Sequence, residues 1–310
     1  MVPLLEVRNL QITFTRYING LKQHQIKVVD GVDLALEAGE ITAVIGSSGS
    51  GKSLLAHAIL GILPGNATMS GKILYRGEAL DARRQEALRG SEIAYIPQSV
   101  TYLDPTMRVG KQVRLGVNGD KREAAERQRR AFQRYRLGDH VEKLYPFELS
   151  GGMARRVLVA AATVSDAKLI IADEPTPGLP QADVQEALQQ LRELADAGCG
   201  VLLITHDIQA ALKVADRVVV FYAGSSVEAA HAHEFSGDGH MLRHPYSRAL
   251  WRALPENGFE PLPGAQPQPS DRLEGCPFAP RCAYATQQCR EERPETRIVR
   301  RGMVRCCHAT

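Results

Sequence analysis

No segment of this 310-residue sequence approaches the run of about 20 consecutive apolar residues that a membrane-spanning helix requires. The longest apolar runs, such as Val218-Val-Val-Phe-Tyr222, are the length of strands. The opening residues, Met1-Val-Pro-Leu-Leu-Glu6, lack the basic segment and long apolar core of a secretory signal. The sequence therefore predicts a protein that stays in the cytosol and meets a membrane only through a partner. Excess charge of one sign is missing too: the net charge is +3, too small to argue for nucleic acid or an anionic surface. A basic stretch at 121–136 interleaves six arginines with Glu123 and Glu126 and reads as the solvated face of a helix. Cysteine is scarce until residue 275 and then concentrated, with five of the six beyond it. In a cytosolic chain that clustering argues for metal binding before disulfides.

What the sequence does have is a regular exchange of strand and helix patterns. Leu4 to Phe14 and Lys27 to Leu36 alternate in hydropathy, as strands with one buried face do. Ile41-Thr-Ala-Val-Ile45 reads as a buried strand that runs into glycines and then an apolar helical stretch, Ser53 to Leu60. Leu169-Ile-Ile-Ala172 and Val201-Leu-Leu-Ile204 are continuous apolar runs, as parallel strands covered on both faces require. A helical pattern between them, Gln181 to Ala197, completes a βαβ unit. From about 100 to 165 helical patterns predominate, which predicts an inserted helical subdomain in a domain spanning 1–254. Five prolines and few apolar residues mark 255–275 as a linker. The remaining 276–310 is too short to bury a core without cross-links or metal.

Gly46-Ser47-Ser48-Gly49-Ser50-Gly51-Lys52-Ser53 matches the phosphate-binding loop at every fixed position, after a buried strand and before a helix. Its glycines let backbone N–H groups turn toward phosphates, and the helix adds its positive end. Lys52 is placed to reach the β- and γ-phosphates of ATP, and the Ser53 hydroxyl to ligate Mg²⁺. In Leu169-Ile-Ile-Ala-Asp-Glu174 a buried strand ends in two carboxylates. Asp173 suits water-mediated Mg²⁺ binding, and Glu174 suits a general base acting on water. Ser150-Gly151-Gly152 opens a further helical pattern, Met153 to Val164, and so forms a second anion site. With a single phosphate loop in the chain, this second site is expected to serve a nucleotide held by another subunit.

The segment Leu149-Ser-Gly-Gly-Met153 resembles the signature motif of the ATP-binding cassette (ABC) ATPases, whose head-to-tail dimers hold ATP between one subunit's phosphate loop and the other's signature. The resemblance implies an α/β fold: a P-loop core with a mostly parallel sheet, an N-terminal antiparallel β subdomain and a helical subdomain. Gln98, in Tyr95-Ile-Pro-Gln98, is similar to the Q-loop glutamine that senses Mg²⁺ and the γ-phosphate. His206, in Ile204-Thr-His-Asp207, is similar to the switch histidine that contacts the γ-phosphate. Phe14 fits the place of the adenine-stacking aromatic, with Tyr17 second. Tyr145-Pro-Phe-Glu-Leu-Ser-Gly-Gly-Met153, His244-Pro-Tyr-Ser-Arg-Ala-Leu250 and Gly275-Cys-Pro-Phe-Ala-Pro-Arg-Cys282 resemble the dipeptide, oligopeptide and nickel importer ATPases.

That branch implies an ATP hydrolase at the cytoplasmic face of the membrane, importing di- or oligopeptides or, alternatively, nickel or a metal chelate. Its implied partners are a second ABC ATPase subunit, two transmembrane permease subunits and, indirectly, an external solute-binding protein. In the Cys-rich C-terminal extension, Cys276, Cys282, Cys289 and Cys307 stand where relatives carry a [4Fe–4S] cluster. Cys306 is an alternative to Cys307, and zinc, a metal-free tail or disulfides are alternatives to the cluster. Three departures stand out. Pro180 occupies the place of the D-loop aspartate, which points to a non-identical partner ATPase. Arg155 replaces a usual glutamine, and Pro97 a usual aromatic. Two other classes stay open: a soluble ABC protein of translation or repair, and an interaction or redox-sensing protein built on the cysteine tail. A single phosphate loop and the absence of sustained heptads count against the former.

Overall fold

The computed structural model describes residues 2–18, 22–47, 49–117, 119–271 and 273–309. It begins with a long antiparallel pair, β1 (Leu5–Ile18) and β2 (Lys22–Leu36), in which Leu5 faces Leu36 and Phe14 faces Ile26. Both strands extend beyond their hydropathy signal because the added ends are polar on both faces: Arg16 pairs with His24 and Tyr17 with Gln23. After β3 (Ile41–Gly46) and α1 (Lys52–Leu60), β4 (Ala67–Tyr75) and β5 (Glu78–Ala79) complete a four-stranded antiparallel sheet, ordered β2-β1-β4-β5.

Next come α2 (Ala82–Leu88), β6 (Ile93–Ile96), α3 (Val109–Arg114), α4 (Lys121–Arg134) and α5 (Gly151–Thr163). Among the described residues no strand lies between β6 and β7 (Leu169–Asp173). The basic stretch is α4, started by Asp120, whose carboxylate accepts the N–H groups of Arg122 and Glu123 at 2.8 Å. Ala124, Gln128, Ala131 and Phe132 form its buried face, while Arg127 and Arg130 pair with Glu123 and Glu126 one turn back. The chain continues with α6 (Gln181–Asp196), β8 (Gly200–Thr205), α7 (Ile208–Leu212), β9 (Arg217–Tyr222) and β10 (Ser225–His231). It ends with α8 (Pro245–Arg252), α9 (Gln287–Glu291), β11 (Arg297–Val299) and β12 (Gly302–Val304).

The main sheet has eight strands in the order β11-β12-β10-β9-β3-β8-β7-β6. The segment from β9 to β6 is parallel throughout, and β10, β12 and β11 add antiparallel strands at one edge. β3, β7 and β8 are buried along their whole length, so their continuous apolar character follows from helices and the second sheet covering both faces.

The C-terminal segment docks by strand pairing and packing rather than through a cross-link. β12 adds to β10, with Val304 opposite Glu228 and Met303 opposite Ala229. Phe278 is buried against Tyr222, Tyr246 and His244. Arg243, fully enclosed, pairs with Glu234 at 2.6 Å and Glu228 at 3.3 Å, and also donates to the carbonyls of Val299 and Arg300 at 2.6 Å. The cysteines are free thiols. Among the described residues no three Cys, His, Asp or Glu side chains gather as metal ligands, so the expected set Cys276, Cys282, Cys289 and Cys307 is not assembled for a [4Fe–4S] cluster. Burial pushes the Cys276 thiol up to about 11 and also raises Cys282 and Cys307, whereas at Cys289 hydrogen bonds from Thr286 and Cys307 outweigh burial and hold the thiol below its ordinary value.

Candidate active site

The phosphate loop leaves β3 at Gly46, whose φ of +155° brings the chain against Phe221; a Cβ there would lie 2.4 Å from the Phe221 carbonyl oxygen. Gly49 (φ +77°) and Gly51 (φ +94°) turn the loop into α1, and the Cβ position of Gly49 faces open space. Lys52 is buried, and its Nζ donates to the carbonyls of Gly46 and Ser47 at 2.9 and 3.0 Å. Burial lowers its pKa, and the carboxylates of Glu174 and Asp173 oppose that shift. Among the described residues the buried Ser50 hydroxyl has no hydrogen-bond partner, an unmet polar group beside the loop. Ser48 lies outside the described residues.

Across from the loop, β7 delivers two carboxylates. Asp173 accepts from Ser53 Oγ at 3.2 Å and from the Tyr95 hydroxyl at 3.3 Å. Burial raises its pKa, and these two hydrogen bonds work against the rise. Glu174 is buried, and its carboxylate meets His206 Nδ1 at 2.8 Å. Its backbone sits at φ +47° directly before Pro175. Such a conformation in a non-glycine residue costs on the order of 1–3 kcal/mol and persists only where the surroundings hold it. One restraint is the Glu174 N–H, which donates to the Ile204 carbonyl of β8 at 2.8 Å.

A cavity of about 320 Å³ is lined by Val28, Gly49, Gly51, Lys52, Ser53, Leu54, Gln98 and Glu174. The structure thus brings together the loop, Asp173 through Ser53, and His206 through Glu174. Ser150, Gly151 and Gly152 stand apart from that lining. Ser150 caps α5 by accepting the Met153 N–H at 3.3 Å, and both glycines face open space. Phe14 is half-buried against the antiparallel sheet and lines none of the cavities found near the loop. The open loop, the unpartnered Ser50 and the paired Ser53 and Asp173 oxygens fit the phosphates of ATP and a hard divalent cation such as Mg²⁺.

Sequence reasoning missed three contributors. Tyr95 stood in plain view three residues before Gln98. Ser47 Oγ donates to the side chain of Gln266, which gave no signal because the contact spans 219 residues of chain. Within the proline-rich stretch 255–275, Arg281 holds the carbonyls of Pro263 and Leu262, and Gln266 to Asp271 wall a cavity of about 300 Å³ that also touches Val28 and Gly49 beside the loop.

A phosphate loop, a carboxylate pair and an outward Ser-Gly-Gly helix on this mixed sheet define an ATP-hydrolysing cassette. Comparison with known proteins makes the class specific. The family described as ABC transporter matches residues 29–177, and the oligopeptide/dipeptide transporter C-terminal region matches residues 227–289. The chain is 35% identical to the dipeptide transport ATP-binding protein DppD of Escherichia coli (strain K12), over 99% of this chain and 97% of that protein. It is 34% identical to the oligopeptide transport ATP-binding protein OppD of Mycobacterium bovis, over 95% of this chain and 50% of that longer protein. Among solved structures, cbiO1 from Clostridium perfringens, part of the ABC transporter complex cbiONQ, superposes with a TM-score of 0.61 at 28% identity, covering 76% of this chain and 90% of that one. A dimeric ATP-binding cassette in a post-hydrolysis state shares the fold, with a TM-score of 0.64 at 24% identity over 74% of this chain and 98% of that one. The chain belongs to the family of ATP-binding subunits of dipeptide and oligopeptide ABC importers, and it is an ATP hydrolase. The nickel, translation and repair readings find no support among these relatives. No helix of the described residues is long and apolar enough to cross a membrane.

Proposed function

We propose that the chain works at the cytoplasmic face of the membrane beneath two permease subunits, paired with a second and non-identical ATPase, and drives peptide uptake. The observation that carries the reading is the single cavity shared by Gly49, Gly51, Lys52, Ser53, Gln98 and Glu174. On ATP binding, Lys52 exchanges the carbonyls of Gly46 and Ser47 for phosphate oxygens, and N–H groups from Gly46 to Ser53 follow. Ser53, Asp173 and Gln98 would hold Mg²⁺, which when bound neutralises phosphate charge. Glu174, set on water by His206, takes a proton from the attacking water, and His206 is the group that faces the γ-phosphate. Phe14 is assigned to the adenine. Ser150, Gly151 and Gly152 are assigned to the ATP of the partner subunit, which their outward exposure supports. Pro180, an exposed residue where an aspartate is usual, supports a partner of different sequence.

The test is Glu174→Gln in the assembled transporter. ATP affinity should stay within about threefold of wild type, and turnover should fall by a factor on the order of 10² or more. Retained turnover would overturn the assignment of Glu174.

A further inference from the structure

Arg155 departs from the usual glutamine at its position, and no step above uses it. It lies half-buried on α5, five residues beyond Ser150. Its guanidinium donates only to main-chain carbonyls. Nη1 reaches the Gln98 oxygen at 2.8 Å and, at longer range, those of Pro97 at 3.3 Å and Glu174 at 3.5 Å; Nη2 reaches the Pro177 oxygen at 3.4 Å. These carbonyls sit on three separate segments: the loop after β6, the end of β7 and the turn before α6. Among the described residues no carboxylate forms an ion pair with Arg155; burial lowers its pKa, and backbone carbonyls accept from its guanidinium. The Glu174 carbonyl is part of the peptide unit that follows the φ +47° conformation, where outside restraint is needed.

We infer that Arg155 is a positioning residue that fastens the signature helix to the backbone bearing Gln98, Glu174 and the Pro175–Pro180 turn. A shift of α5, such as a nucleotide docking on Ser150 would cause, then reaches the general base of the same chain through one rigid fork. A glutamine offers two donors from a single nitrogen and cannot span the Gln98 and Pro177 carbonyls as a planar guanidinium does. Because the contacts are to carbonyls, the link is indifferent to the side chain at 180, where this sequence lacks the usual aspartate.

This inference rests on the ATPase reading above, and its test separates the two. In the assembled transporter, kcat, the Kd for a fluorescent ATP analogue, thermal midpoint and hydrogen exchange are measured for Arg155→Met and Arg155→Lys. Arg155→Met should lower kcat about tenfold or more with nucleotide Kd within about threefold, and should speed exchange at residues 97–99 and 174–178 ahead of the rest of the chain. Arg155→Lys restores charge without the fork, and should recover less than about a third of kcat. Three results would overturn the inference: kcat within about twofold of wild type, full rescue by lysine, or parallel loss of nucleotide affinity and global protection. Should Arg155→Met fail to assemble, Arg155→Gln carries the same measurements. Turnover that survives Glu174→Gln would refute the assignment of the base, while the exchange pattern still reports on the Arg155 link.

Discussion

His244 is enclosed by the core, and its Nδ1 accepts the N–H of Tyr246, starting α8. Burial alone pulls its pKa down to about 3. Between an unfolded value near 6.5 and that folded value, the unfolded chain carries a proton that the folded chain does not. Stability therefore falls as pH falls through this window, by about 1.4 kcal/mol per unit, and this residue contributes no slope above it. His244→Asn keeps an acceptor for the cap and removes the titration. Urea unfolding at pH 7 and 5.5 should show wild type losing about 1 kcal/mol more than the variant. Equal losses would show that His244 is not the group responsible. At this scale the grouping of Lys52, Ser53, Asp173 and Glu174 around the loop was legible, because spacing along short covalent segments sets their places. The φ of Glu174 and the four carbonyls around Arg155 were not legible, since both depend on what three distant segments place beside them.

Among the elements, β3, β7 and β8 announced themselves by unbroken apolar runs, and α4 by arginines spaced a turn from glutamates. β11 and β12 did not. They are three residues each, Ile298 points to solvent, and they form only because β10 offers a free edge. Arg243 locks that edge by joining Glu228, Glu234 and the carbonyls of the β11–β12 turn. Removing it strands two buried carboxylates, so Arg243→Met should cost about 3–5 kcal/mol in urea unfolding. Adding Glu228→Gln and Glu234→Gln should return much of that loss. A penalty under about 1 kcal/mol would mean that the tail is held by β12 pairing and Phe278 rather than by the ion-pair network. Composition alone does not reveal an available sheet edge, and the tail's docking on β10 was therefore not legible in the sequence.

For the whole molecule, the phosphate loop and the signature segment face different surroundings, and the proposed pairing follows from that separation. Ser150→Arg should leave nucleotide affinity of the isolated chain within about twofold, yet reduce turnover of the assembled transporter by about tenfold or more. Loss of nucleotide binding by the isolated chain would place Ser150 in this chain's own site. Short-range patterns were enough to read the phosphate loop, the carboxylate pair, the Ser-Gly-Gly helix start and the parallel core, because in each the residue types and spacing lie within one short stretch. Only long-range packing set how the tail is held, that residues 266–271 lie beside the loop, and that Arg155 joins α5 to the carbonyls of Gln98, Glu174 and Pro177. Those contacts join segments tens to hundreds of residues apart, and no short-range preference encodes which of them will meet.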